Sequence, residues 1–314
     1  MPHKLNDRAG GVYIISATPF FDDGAIDYDS ATQLVEFYLE TGVSGMTILG
    51  MMGEAPKLSD DESLTFMRHM MKAVNGRIPV VVGVSSAGLD TMNALTQASM
   101  EAGAAGVMVA PNAAHDTDEK IYGYFAAVCE KLGSEVPICY QDFPLATKAP
   151  VSPALLTRLF NDFSQIAMLK HEDWPGLSKI TALRQASENG QVRRVPILVG
   201  NGGLYLPQEL ARGADGAMTG FAFPEMLVQV VDLFKSGQED KAQDLFDAYL
   251  PVTKHEQQPG FGLAVRKETL RRRGVITSAA TRAPGPKLSA TDHTELDNLL
   301  KRLERRLEEA GHGA

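Results

Sequence analysis

The sequence predicts an α/β fold, a (β/α)8 TIM barrel with additional C-terminal helices. Short apolar runs alternate with longer amphipathic segments eight times along the chain, and Gly or Pro flanks most of the runs. Strands of a closed parallel barrel are buried on both faces, so they are continuous apolar runs of this kind. No G-x-G-x-x-G motif follows the first run, which counts against an open dinucleotide-binding sheet.

The eight predicted strands are rich in Val, Ile, Met and Leu, and the segments between them carry apolar residues along one helical face. Several of these helical segments end in Gly, which favours the left-handed conformation of a helix C-cap. The strands are Val12–Ile15, Gly45–Leu49, Pro79–Val84, Gly106–Ala110, Pro137–Tyr140, Ile166–Leu169, Pro196–Val199 and Gly216–Thr219.

Residues 1–224 are expected to form the barrel, and residues 225–314 to form helices that pack on it within the same domain. Helical patterns cover Leu227–Lys235, Ala242–Lys254 and Leu263–Arg273. The last helix carries a leucine stripe, which indicates either docking onto the barrel or contact with a second subunit; docking is the favoured interpretation. The stripe consists of Leu296, Leu299, Leu300, Leu303 and Leu307.

Composition excludes several classes of function. The formal net charge of -9 counts against a nucleic-acid partner, which would require a basic face. No apolar run is long enough for a membrane span, and the N-terminus lacks the apolar core of a secretory signal. Cys129 and Cys139 have no metal-ligand spacing and are interpreted as buried small apolar residues. The expectation is a cytoplasmic protein with neither a metal nor another cofactor.

Lys170 is the most informative candidate for catalysis. Active sites of such barrels lie at the carboxyl ends of the strands, and Lys170 closes the apolar run Ile166–Leu169. A partly desolvated lysine favours its neutral amine, which attacks a ketone to form an imine. The alternative is a structural lysine whose ammonium extends into water.

Other strand ends carry further polar candidates. Tyr140 closes the preceding run and is a candidate proton relay to Lys170, although a packing role is the alternative. The turn that begins with Gly50, Met51 and Met52 could present N–H groups to a carboxylate. Asp142, Asn201 and Thr219 are candidates for substrate contact.

Two neighbours of Lys170 are less informative. Strand alternation turns His171 away from Lys170. For both His171 and Glu172, a structural role is the favoured interpretation. His115 has no assigned role.

These pieces occur in an order that resembles the dihydrodipicolinate synthase and N-acetylneuraminate lyase family of class I aldolase barrels. The matching segments are Thr18-Pro19-Phe20, Gly50-Met51-Met52-Gly53-Glu54, Tyr140-Gln141-Asp142, Leu169-Lys170, Gly200-Asn201-Gly202 and Gly213–Gly220. The resemblance implies that Lys170 forms the Schiff base with a 2-oxo acid, that Tyr140 relays protons, and that the turn at Met51 and Met52 binds the substrate carboxylate. It also implies a homo-oligomer, a tetramer or dimer.

The chain departs from the family pattern where the lysine-precursor synthases carry relay hydroxyls. Met51 and Met52 stand at the hydroxyl pair, and the segment Pro111–Ala114 offers no tyrosine. The arginine expected after Tyr140 is also missing. The resemblance is therefore closest to the 2-keto-3-deoxy sugar-acid dehydratases. It leaves open dehydration or aldol cleavage, with a synthase-type condensation of pyruvate with an aldehyde, or a non-catalytic barrel that binds a small acid, as alternatives.

Overall fold

A computed structural model describes residues 3–174 and 176–311. Eight parallel strands form a closed barrel in which each strand pairs with the next along the chain and β8 closes on β1. The predicted fold class is confirmed. The strands are β1 Gly11–Ile15, β2 Gly45–Ile48, β3 Val80–Gly83, β4 Gly106–Val109, β5 Ile138–Asp142, β6 Ile166–His171, β7 Ile197–Val199 and β8 Gly216–Thr219.

Helices follow the strands and surround the barrel. Several begin at a side-chain cap, as Asp27, Ser59 and Thr117 show by accepting a hydrogen bond from the first helical turn. The helices are α1 Tyr28–Glu40, α2 Asp60–Val74, α3 Leu89–Glu101, α4 Asp118–Leu132, α5 Pro144–Thr147, α6 Pro153–Asp162, α7 Leu177–Glu188, α8 Leu206–Ala211, α9 Pro224–Lys235, α10 Glu239–Glu256, α11 Gly262–Arg272 and α12 Ala290–Glu309.

Strand side chains alternate between two separate cores. One set fills the barrel interior and consists of Tyr13, Ile15, Val81, Met108, Cys139, Met168, Leu198 and Met218, with Leu5 and Ala105 below them. The other set packs between the strands and the helices. Because side chains alternate along a strand, the face that each strand-end residue takes decides whether it can reach a ligand in the barrel mouth.

β5 and β6 each run two residues further than the sequence predicted, to Asp142 and His171. The apolar runs end at Tyr140 and Leu169, but the polar residues beyond them continue the ladder, with Gln141 opposite Lys170. Their side chains are buried and hydrogen-bonded to one another, which makes the extended conformation tolerable for polar residues.

The C-terminal helices begin and end close to the predicted bounds. α9 packs beside β1, and α12 packs on α10. α12 buries Leu296 and Leu303 of the predicted leucine stripe. Within residues 3–174 and 176–311, no helix is both long and apolar enough to cross a membrane.

Candidate active site

Lys170 and Glu172 form a buried ion pair at the carboxyl end of β6. Lys170 has the same strand parity as Met168, so it faces the barrel interior. Its Nζ lies 2.9 Å from Glu172 Oε2, and the two side chains are 6% and 8% exposed. The Nε2 of Gln141 donates to the same carboxylate oxygen at 2.8 Å. An amine, a carboxylate and an amide therefore converge at one point beneath the barrel mouth.

The segment that follows β7, the strand next to β6, contacts Glu172. A Cβ on Gly200 would lie 2.2–2.5 Å from the Glu172 side chain, so only glycine leaves room for the carboxylate. Asn201 adopts a left-handed backbone with φ 51°, and its amide donates to the Glu172 carbonyl at 3.2 Å. Thr219 Oγ1 accepts from the N–H of Gly202 at 2.7 Å. The side chains of Asn201 and Thr219, both predicted to bind substrate, thus form hydrogen bonds with backbone groups. Their contact with substrate stays a prediction.

The turn after β2 borders a cavity of about 580 Å³ whose lining also includes Met108 and Gln141. Gly50 precedes a single 3₁₀ turn at Met51–Gly53. The first N–H groups of such a turn have no acceptor within it, so those of Met51 and Met52 are suited to an anionic ligand. Met51 is 39% exposed, whereas Met52 packs against the interior core.

The backbone is strained where this turn begins. Leu49 has φ 54°, a conformation that costs a branched residue free energy and is typical of functional sites. The strand beside it approaches closely, since a Cβ on Gly83 would lie 2.2 Å from the Leu49 carbonyl oxygen. This packing holds the turn in place above the barrel interior.

Tyr140 does not face the barrel interior, so the expectation that its phenol reaches Lys170 is wrong. Its ring is fully buried between strands and helices and stacks on Phe125 of α4 at 4.5 Å. Its hydroxyl has no hydrogen-bond partner among the described residues. Burial raises the pKa of this phenol well above its usual value of 10.0. A group in this setting cannot relay protons at the mouth.

Replacing Tyr140 with Phe is therefore expected to leave turnover within about twofold of wild type, in contrast to the 10²–10⁴-fold loss typical of a proton relay. Because the buried hydroxyl lacks a partner, its removal should leave the free energy of unfolding unchanged or raise it by about 1 kcal/mol. Steady-state rates and urea denaturation measure both effects. A rate loss of a hundredfold or more would restore Tyr140 as a relay.

Asp142 also faces away from the mouth, because it shares the parity of Tyr140. Its Oδ2 accepts from Lys179 Nζ at 2.8 Å and lies 3.3 Å from His171 Nδ1. The prediction that Asp142 binds substrate is wrong on this geometry, since the carboxylate lies between β5, β6 and α7. The predicted outward direction of His171 is confirmed: its Nε2 lies 3.1 Å from the Gly176 carbonyl oxygen.

Sequence reasoning did not assign Gln141 to the site, and it favoured a structural role for Glu172. Glu172 lies two positions after Lys170, so strand alternation could have indicated that it shares the face of Lys170. Gln141 carried no such signal, because its contact with the Lys170–Glu172 pair depends on the register between β5 and β6, which includes an irregularity at Ile138/Cys139.

Glu209 of α8 is a second buried carboxyl group on this side of the barrel. Burial, reinforced by the negative charge of Glu172, raises its pKa to about 8. Its Oε2 has no hydrogen-bond partner within the described part of the chain. At neutral pH the neutral acid form of Glu209 therefore predominates.

The raised pKa of Glu209 predicts a pH-dependent stability. Native Glu209 keeps its proton between about pH 4.5 and 8 while the unfolded group loses it, so wild-type stability should fall as the pH rises through this window. The full cost is at most about 5 kcal/mol for such a shift. Glu209→Gln removes the titration and should stabilise the protein more at pH 8.5 than at pH 5. Thermal unfolding at both values measures this, and an equal difference at both would contradict it.

The fold and the site together define a class of protein, a (β/α)8 barrel with a buried amine–carboxylate pair at the catalytic end. Residues 8–303 match the model of the dihydrodipicolinate synthetase family. The chain belongs to that family and is a lyase of it.

Three known proteins show the range of this similarity. The chain is 30% identical over 308 residues to L-2-keto-3-deoxyarabonate dehydratase of Azospirillum brasilense, covering 97% of each chain. It is 28% identical over 247 residues to 4-hydroxy-tetrahydrodipicolinate synthase of Methanococcus maripaludis, covering 78% of this chain and 82% of the relative. The crystal structure of dihydrodipicolinate synthase from Rhodopseudomonas palustris superposes with a TM-score of 0.93 at 48% identity, covering 95% of this chain and 99% of that one.

Proposed function

We propose that the protein is a Schiff-base lyase that dehydrates or cleaves a 2-keto-3-deoxy sugar acid, with Lys170 as the imine-forming residue. The observation that carries this proposal is the buried contact between Lys170 Nζ and Glu172 Oε2 at 2.9 Å. Transfer of a proton from the ammonium to this carboxylate gives the neutral amine that attacks the 2-oxo carbon. Loss of water from the adduct then gives an iminium ion.

The iminium withdraws electrons from the neighbouring carbon, so a base can remove a proton from C3. Glu172 is the titratable side chain in contact with Lys170, and it is the candidate for that base. The resulting enamine expels the C4 hydroxyl, which takes up the proton removed from C3 and leaves as water. In a five-carbon acid, proton shifts from C5 to C3 and from the C5 hydroxyl to C4 then form the aldehyde, and a second water hydrolyses the imine to release the product. Aldol cleavage of the same imine would instead require removal of the C4 hydroxyl proton.

Substrate binding is proposed at the turn formed by Gly50, Met51 and Met52. Its N–H groups would receive the carboxylate next to the 2-oxo group, and the cavity at Gln141 would hold the hydroxylated remainder. The thioethers of Met51 and Met52 donate no hydrogen bond. Gln141 donates through its amide but does not titrate, so Glu172 is left as the proton carrier near the imine.

Dehydration is supported by the similarity to the Azospirillum dehydratase along almost the whole of both chains. A second candidate, condensation of pyruvate with an aldehyde, is favoured by the name of the 48%-identical Rhodopseudomonas structure. The absence of hydroxyls at Met51 and Met52 supports the first candidate, since a condensation of this type would need a proton relay near the new bond.

A substrate comparison tests the proposal. The purified protein should convert a five- or six-carbon 2-keto-3-deoxy acid, followed by coupled detection of pyruvate or of 2-oxoglutarate semialdehyde. Condensation of pyruvate with aspartate semialdehyde should be negligible, and lysine should not inhibit turnover. Efficient condensation together with no turnover of the sugar acids would replace the first candidate by the second.

A further inference from the structure

Glu54 is a buried carboxylate immediately after the turn at Met51–Gly53. Its side chain is 1% exposed, and three donors reach it. Lys267 Nζ lies 2.6 Å from Oε1, and Lys57 Nζ and the Arg282 N–H lie 2.8 and 3.0 Å from Oε2. A charged group this deeply buried is held in one position because each lost hydrogen bond would leave it uncompensated.

These donors connect the turn to the C-terminal part of the chain. Lys267 belongs to α11, is fully buried, and also donates to the Ala280 carbonyl at 2.8 Å. Lys57 donates to the Arg282 carbonyl at 2.8 Å, and the Arg282 guanidinium pairs with Glu62 through two bonds of 2.7 and 2.8 Å. Residues 267–282 are thereby fastened to the segment that follows β2.

Burial of the Lys267 amine carries a desolvation cost. Burial lowers the pKa of this amine to about 8, although Glu54 opposes the shift. The Nζ also lies 4.4 Å from the centroid of the Phe20 ring, a cation–π arrangement that partly replaces lost hydration.

The other side of the turn is anchored by the segment that follows β1. Thr18 Oγ1 donates to the Gly53 carbonyl at 2.6 Å, and Glu54 itself has a left-handed backbone with φ 57°. Met51 and Met52 therefore directly precede two residues, Gly53 and Glu54, that are held by hydrogen bonds. The direction of the Met51 and Met52 N–H groups thus depends on the position of the Glu54 carboxylate.

We propose that Glu54, held by Lys57 and Lys267, is a positioning residue that orients the turn for the substrate carboxylate. The C-terminal segment thus sets affinity for the carboxylate and takes no part in the chemistry at Lys170; this inference rests on the proposed function. The local charges agree with it. Arg282 and Glu62 balance each other, whereas two lysines face the single carboxylate of Glu54, which leaves one positive charge in excess beside the turn.

Reductive trapping with borohydride separates recognition of the carboxylate from imine formation. Pyruvate and acetone both offer a ketone, but only pyruvate carries the carboxylate. In Lys57→Met and Lys267→Met, half-saturation for pyruvate should require at least about tenfold more ligand, the scale of one hydrogen bond to a charged group. The maximal labelling rate, and labelling by acetone, should stay within about twofold of wild type.

Lys120→Met is the matched control, because Lys120 pairs with Asp116 at 2.7 Å on the exposed surface, and it should behave as wild type. If Lys267→Met does not fold, Lys57→Met carries the test, since the Lys57 side chain is 26% exposed. A parallel loss with pyruvate and acetone, or unchanged half-saturation in the variants, would overturn the positioning role. Failure of pyruvate to label the wild-type protein at Lys170 would overturn the proposed function and this inference with it.

Discussion

Lys170→Ala is expected to abolish both covalent trapping and turnover. In the wild-type protein, pyruvate and borohydride should leave a stable adduct on the peptide that contains Lys170, because reduction converts the imine into a secondary amine. Alanine removes the amine that is proposed to form the imine, so neither trapping nor turnover can proceed at this position. Peptide mass spectrometry after trapping, together with steady-state rates, measures the two losses.

A second buried lysine provides the control. Lys179 is 6% exposed, as deeply buried as Lys170, but its Nζ pairs with Asp142 and Asp173 at 2.8 and 2.6 Å on the helix side of the strands. Lys179→Met should therefore keep the adduct at Lys170. An adduct on any other lysine, or no adduct with a series of 2-oxo acids, would contradict the proposed role of Lys170 as the imine-forming residue.

Glu172→Gln is expected to lower turnover by about 10²–10⁴-fold, the span of a general acid–base group. Glutamine keeps the shape and one hydrogen bond to Lys170, but it cannot accept a proton from C3 of the substrate. Trapping at Lys170 should persist at a reduced rate, because imine formation can use water where proton removal from carbon cannot. Single-turnover kinetics with a 2-keto-3-deoxy acid separates the two steps.

Glu209→Gln is the control for the Glu172→Gln experiment, because it makes the same substitution at another buried glutamate. At neutral pH Glu209 is expected to be mainly the neutral acid, so an amide imitates it closely, and it lies outside the contact with Lys170. Turnover of this variant at pH 7 should stay within about threefold of wild type. A Glu172→Gln variant with near-normal turnover would assign the proton transfer to water or to the substrate itself.

The fold and the buried position of Lys170 were predictable from particular features of the sequence. Apolar runs of four to six residues, most of them flanked by Gly or Pro, located all eight strands, since burial on both faces requires an apolar composition. Lys170 stood out because it closes one such run. The positions of Gly50, Met51 and Met52 followed from a Gly-rich turn at the end of β2, where a parallel barrel places its ligands.

The companions of Lys170 were not predictable in the same way. Tyr140 and Gln141 are adjacent in the sequence, and a shift of one residue exchanges which of them faces the interior. The apolar run ends at Tyr140, so the run itself pointed to the wrong residue. The ladder that places Gln141 opposite Lys170 also contains an irregularity at Ile138/Cys139, which no local sequence pattern predicts.

The barrel, the buried lysine and the turn at the end of β2 could all be predicted from the sequence, because each depends on burial and on local backbone preference. Tertiary structure alone decided which side chains meet Lys170 and how the turn is held. Glu172 and Gln141 contact the site through strand register, and Glu54 receives Lys267 from 213 positions further along the chain. Contacts of this kind arise from closure of the barrel and docking of the C-terminal helices, and only the assembled fold brings the partners within bonding distance.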